Sequence, residues 1–111
     1  MDSIKKSSDF SLVAKHGSRW FSDSFIIQIL KKEDRLEQNS RLGLIVSKKV
    51  GNAVIRNLIK RRFRQVFRSS FPHEIKGYDV VLIARKSTLE RDFEQIQADM
   101  RWSLKRLGLL Q

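Results

Sequence analysis

The chain has 111 residues and no cysteine, and its 23 Lys and Arg outnumber 12 Asp and Glu to give a formal net charge of +11. Without cysteine there is no disulfide framework, thiolate nucleophile or Cys-ligated zinc site, and this length suffices for one domain, residues 1–111, whose core needs no staple. The longest apolar runs, such as Val80 to Ala84, fall far short of the ~18 to 20 residues that span a bilayer. Lys5 and Lys6 lead into polar residues rather than the apolar segment of a signal peptide, so a cytoplasmic protein with no membrane partner is expected.

In chain order, Ser8 to His16 reads as a short helix, with Ser8 a candidate N-cap, Phe10, Val13 and Ala14 on one side, and Gly17 its stop. Phe25 to Leu30 reads as a strand of β-branched and aromatic residues, and Lys31 to Ser40 as a polar loop. Leu42, Leu44 and Val46 alternate with Gly43, Ile45 and Ser47 in a second strand, and the polar loop joining the two strands suggests an antiparallel hairpin. Asn52 then caps a helix from Ala53 to Ser70 that Pro72 closes. Asp79 to Arg85 is a third strand, continuously apolar from Val80 to Ala84, hence central or covered on both faces. Leu89 to Leu107 reads as a closing helix, its Phe93, Ile96, Met100, Leu104 and Leu107 spaced by three or four. The order α-β-β-α-β-α, without repeat or linker, predicts a single α+β domain.

Charge is concentrated in the middle of the chain. Between Glu37 and Glu74 there is no acidic residue, yet Arg41, Lys48, Lys49, Arg56, Lys60, Arg61, Arg62, Arg64 and Arg68 all fall there. At 3.6 residues per turn the long helix sets Ile55, Leu58, Ile59, Phe63, Val66 and Phe67 on one stripe and Asn57, Lys60, Arg61, Arg64 and Arg68 on the other, with Arg56 and Arg62 at the margins. Lys60, Arg64 and Arg68 follow one another at i,i+4 with no carboxylate to relieve their repulsion, which is expected when a partner supplies the anions. Five arginines to one lysine suit bidentate phosphate contact. The apolar stripe is needed for the sheet, which argues against a membrane surface. Phe10, Trp20, Phe21 and Phe25 are candidates for base stacking, though aromatics near a strand are more often core.

Side-chain catalysis has little to work with. His16 and His73 lie in unrelated segments, the carboxylates are scattered, and Gly51 stands alone, so no catalytic triad, metal-ligand spacing or phosphate-cradling loop is present.

The run from Arg41 to Asn57, with Ser47-Lys48-Lys49-Val50-Gly51-Asn52-Ala53-Val54 at its centre and Leu58-Ile59-Lys60-Arg61 beyond, resembles the protein subunit of bacterial ribonuclease P. Asp9-Phe10, Val13, Lys15-His16-Gly17 and the strand ending Ile83-Ala84-Arg85-Lys86 extend the match over nearly the whole chain. Leu58 replaces the second arginine of the family's Arg-Asn-Arg signature, where it is positioned to extend the core at the expense of one RNA-binding side chain. Ala14 and Gln28 stand where aromatics are common.

The resemblance implies a small ribosomal-protein-like α/β sandwich on a mixed, mostly antiparallel sheet. In it, strand, basic helix and strand form a left-handed βαβ crossover, where the general rule is right-handed. It further implies a subunit that assists a catalytic RNA in removing the 5′ leader of precursor tRNA, leaving a 5′-phosphate. Lys48, Lys49, Arg56, Asn57, Lys60, Arg61, Arg64 and Arg68 would then contact the RNA subunit, and Phe10, Lys49 and Ala84 the leader, with no obligate protein partner. Mg²⁺ would be held mainly by the RNA and the substrate phosphate. A ribosomal-protein-like RNA-binding module is the main alternative. A DNA-binding regulator lacks a helix-turn-helix partner, and a protein-only nuclease lacks clustered carboxylates.

Overall fold

In the computed structural model, which describes residues 2–111, the chain runs β1 (Asp2–Ser3), α1 (Ser7–His16), β2 (Ser18–Phe21), β3 (Phe25–Lys31), β4 (Arg41–Ile45), α2 (Ala53–Ser70), β5 (Tyr78–Ala84) and α3 (Phe93–Arg106). Short 3₁₀ turns at Glu33–Arg35 and Lys86–Glu90 complete the path. The expected order is present, with β1 and β2 added as short edge strands. Both lie outside the long apolar runs.

The five strands form one sheet in the order β1-β4-β5-β3-β2. β1 and β5 flank β4 in parallel, and β2 and β5 flank β3 antiparallel, so the sheet is evenly mixed rather than mostly antiparallel. The expected β3–β4 hairpin does not form, because β5 lies between those strands and pairs with both. A continuously apolar strand gains most from that central place. β4, α2 and β5 make a βαβ crossover between adjacent parallel strands.

Helices cover both faces. On one, Phe25, Ile27, Ile29, Leu42, Val80 and Leu82 meet Ile59, Phe63, Val66 and Phe67 of α2 and Ile96, Met100 and Leu104 of α3. On the other, Val81 packs with Val13 of α1 and with Ile4, flanked by Phe10, Leu30 and Ile83. Ala14, expected beside Val13, faces solvent. α1 begins one residue before the expected N-cap: Lys6 holds the cap position, and its carbonyl accepts from the N–H groups of Asp9 and Phe10. The helix ends where a Cβ on Gly17 would lie 2.5 Å from the carbonyl oxygens of Val13 and Ile29, so only glycine lets the chain turn this close to β3.

α2 has the expected limits. Asn52 Oδ1 accepts from the Ile55 N–H at 3.0 Å, and the last turn closes through the Phe71 N–H onto the Phe67 carbonyl before Pro72. The closing helix is shorter than expected: Leu89 belongs to the preceding 3₁₀ turn, and α3 starts after Asp92, which exchanges side-chain and backbone hydrogen bonds with Gln95 in a capping box.

Candidate nucleic-acid interface

α2 turns its apolar stripe into the core, and this leaves its cations outside. Asn57, Arg61, Arg64 and Arg68 are exposed, Arg56, Lys60 and Arg62 half-buried, and Lys48 and Lys49 exposed on the turn before the helix. Arg56 donates to the Gly51 carbonyl at 2.8 Å, bracing that turn against the first helical turn. Among the described residues the ion pairs involve Lys32, Arg41 and Arg91, and none takes a cation of α2 or its turn. A row of like charges is thus held on a rigid helix with no internal counterion, the arrangement that favours a polyanion.

Phe10 is brought to the edge of this face. A cleft of about 170 Å³ is lined by Ile4 and Phe10 on one side, Leu42, Gly43 and Leu44 of β4 below, and Lys60 and Arg64 of α2 on the other. The ring lies so close to the strand that a Cβ on Gly43 would sit 2.6 Å from Phe10 Cε1. Ala84 is not part of this cleft. It pairs with Phe25 and packs on the α2 and α3 side of the sheet, away from Phe10. Toward the opposite end of the strands from Lys31 and Arg41, Phe21, Ile26, Ile83 and Ile45 lie in register across β2, β3, β5 and β4, with Phe21 and Ile45 exposed. Sequence reasoning missed this apolar row, because it becomes visible only once β5 is known to separate β3 from β4.

A chain of charges holds α1, and Phe10 with it, against the sheet. Asp79 is fully buried and accepts two hydrogen bonds from Arg41, at 2.8 and 2.6 Å. Asp9, next to Phe10, accepts from Lys32 at 3.3 Å and lies 3.5 Å from Arg41. Burial pushes the Asp9 carboxyl up, but the Lys32 hydrogen bond and the charges of Arg41, Lys32 and Lys6 outweigh it and hold the group below the usual carboxylate range. The hydrogen bonds to Asp79 raise Arg41 further against its own desolvation.

The remaining candidates divide cleanly. Phe25 is fully buried in the core, Trp20 is half-buried and Phe21 is exposed. Gln28 is buried on the α1 face, with its amide oxygen placed to accept from the Arg19 guanidinium at 2.6 Å, so a polar pair occupies that position. Leu58 is half-buried but packs on neither apolar cluster, so it does not extend the core. His16 and His73 are exposed, and no group of three or more His, Asp or Glu among the described residues is arranged to hold a metal ion. No helix among these residues is long and apolar enough to cross a membrane.

The fold and sequence are shared with known proteins. A family model described as Ribonuclease P matches residues 1–108. Proteins named Ribonuclease P protein component are similar throughout: that of Paramagnetospirillum magneticum is 40% identical, covering 100% of this chain and 86% of its own, and that of Clostridioides difficile is 39% identical, covering 96% and 91%. The solved RNase P protein of Staphylococcus aureus superposes with a TM-score of 0.84 at 32% identity, covering 100% of this chain and 99% of its own. The RNase P protein of Thermotoga maritima gives 0.79 at 32% identity, covering 96% and 97%. A small α+β domain on a mixed sheet is thus the shared class, and the chain belongs to the ribonuclease P protein component family.

Proposed function

We propose that the chain is the protein subunit of a ribonuclease P holoenzyme whose catalyst is RNA. It assists hydrolysis of the phosphodiester bond that joins the 5′ leader to the body of precursor tRNA, leaving a 5′-phosphate on the mature tRNA. The observation that carries this reading is the adjoining of two surfaces: the unpaired cations of α2 and the Phe10 cleft meet at Lys60 and Arg64. In this reading Lys48, Lys49, Arg56, Asn57, Lys60, Arg61, Arg64 and Arg68 dock on the RNA subunit and screen its charge. Phe10 and the cleft below it receive the single-stranded leader beside that docking face, with Lys49 at the preceding turn. Leaders differ in sequence, so stacking and backbone contact serve better than base-edge readout, and a sequence-tolerant cleft broadens the range of substrates.

The described residues offer no carboxylate or histidine cluster for Mg²⁺. In this reading Mg²⁺ is held mainly by the RNA subunit and substrate phosphate, in a holoenzyme that works in the cytoplasm.

The test is cleavage of a precursor tRNA at low Mg²⁺ by the protein alone, by a bacterial ribonuclease P RNA alone, and by the two together. Efficient cutting at the mature 5′ end only by the combination supports the proposal. Cutting by the protein alone overturns it in favour of a side-chain active site, and RNA binding without stimulation overturns it in favour of a general RNA-binding module.

A further inference from the structure

The sheet edge opposite the Phe10 cleft carries a second feature. β2 is the terminal strand there, and α3 packs over it. The Arg106 guanidinium lies 5.1 Å from the ring centre of Trp20 on β2 and 5.8 Å from that of Trp102 on α3, so it sits between the chain's only two tryptophans. Trp102 is 56% exposed. At 3.6 residues per turn, Ala98, Arg101, Trp102, Lys105 and Arg106 share the outward side of α3, and all five are exposed. Of the acidic residues of the helix, Glu94 shares this side but stands in the first turn, two turns before Trp102, and Asp99 is tied to Ser24 and Arg91.

A structural role accounts for part of this. Lys105 and Arg106 complement the carbonyl end of α3, and Arg106 clamps that end to Trp20. It does not account for Trp102, whose large ring forgoes the stabilisation of burial while held in place by Arg106 and flanked by the small Ala98.

We propose that Trp102, Arg106 and Trp20, with Arg101 and Lys105, form a second binding surface for single-stranded RNA. An unpaired base stacks on the Trp102 indole, and the neighbouring phosphates meet the three cations. The surface fits this occupant by charge: the exposed charged side chains around Trp102 are Arg101, Lys105 and Arg106, on a chain of net charge +11, so a second copy would bring repulsion while a polyanion brings compensation. Stacking on an indole requires a base free of its duplex, which selects single strands. The protein would thereby hold RNA at two opposite edges of one sheet.

Because both tryptophans lie in the surface, intrinsic fluorescence of the full chain reports on it directly. Titration with a 12-nucleotide single-stranded RNA at low salt should give saturable quenching, weaker for the same sequence as a duplex. Quenching should persist in Arg64→Ala plus Arg68→Ala, which alters only the α2 face. Trp102→Ala should weaken binding of the labelled oligonucleotide to that double variant roughly tenfold or more, the scale of one base–aromatic stack, with Trp102→Phe recovering part of the loss.

Loss of quenching in the α2 double variant, equal binding of duplex, or unchanged affinity in Trp102→Ala would each overturn the proposal. So would a fluorescence change that follows protein concentration without RNA, which would assign the surface to a second copy. None of these readouts depends on whether the protein stimulates precursor cleavage, so the two proposals fail separately.

Discussion

Gly43 shows how one missing side chain shapes the cleft. A glycine inside a strand is ordinarily a weak point, lacking a side chain to pack. Here its bare Cα lets the Phe10 ring lie against β4, where a Cβ would stand 2.6 Å from Cε1 and 3.1 Å from Ile4 Cδ1. Gly43→Ala should therefore push the ring off the sheet and cost about 1–3 kcal/mol of stability, as overpacking usually does. Urea unfolding measures that cost. In the assembled holoenzyme the same variant should weaken binding of precursor more than of mature tRNA, and equal losses on both would assign Phe10 a packing role alone. Asp9, at the other side of Phe10, supplies the opposing restraint through Lys32 and Arg41, so the ring is fixed from helix and strand together.

At the scale of the element, α2 divides its labour by face: apolar residues anchor it while exposed cations remain without ion-pair partners. Arg64→Ala plus Arg68→Ala should leave the urea midpoint and helix content nearly unchanged, since both side chains are exposed and unpaired. RNA-subunit affinity should fall, and the slope of log K against log salt should shrink by roughly 1.5 to 2, near 0.9 for each phosphate that the variant no longer neutralises on a duplex-like backbone. Salt titrations of the variant and parent decide this.

α2 was legible in the sequence because its signals are local: the Asn52 cap, the stripe of apolar residues and Pro72. The sheet was not. The hairpin expected from β3 and β4 rests on chain proximity, whereas their common partner β5 begins more than thirty residues beyond β4, and nothing in either strand announces it. β2 has too few residues for alternation to show, and its Trp20 and Phe21 read more readily as core than as stacking residues. The α3 start has a local signal as well: Asp92-Phe93-Glu94-Gln95 is a capping-box pattern, and it places the helix start after Leu89. The cation face was legible from charge spacing, whereas Phe10's neighbourhood with Lys60 and Arg64, and Ala84's remoteness from it, depend on which strand faces which helix.

For the molecule as a whole, the middle of the sheet is made by the last strand in sequence. β5 joins β4 on one side and β3 on the other, and its side chains enter both apolar clusters. A chain ending at Gly77 should retain little cooperative unfolding in urea, although it keeps all of α2, because the strand that unites the others is gone together with the core residues of α3. Far-UV circular dichroism and a urea titration of that truncation would show it; a sharp two-state transition would contradict the assignment of β5 as keystone. The order in which a ribosome makes this chain then acquires a meaning. The entire run of arginines is synthesised before the strand that buries its helix and emerges from the ribosome ahead of it, so the nascent chain is for a time an unfolded polycation among ribosomal RNA. Any RNA that prefers the finished fold draws that population toward the native state by mass action. For this chain, maturation of the protein and capture of its RNA are linked events rather than successive ones.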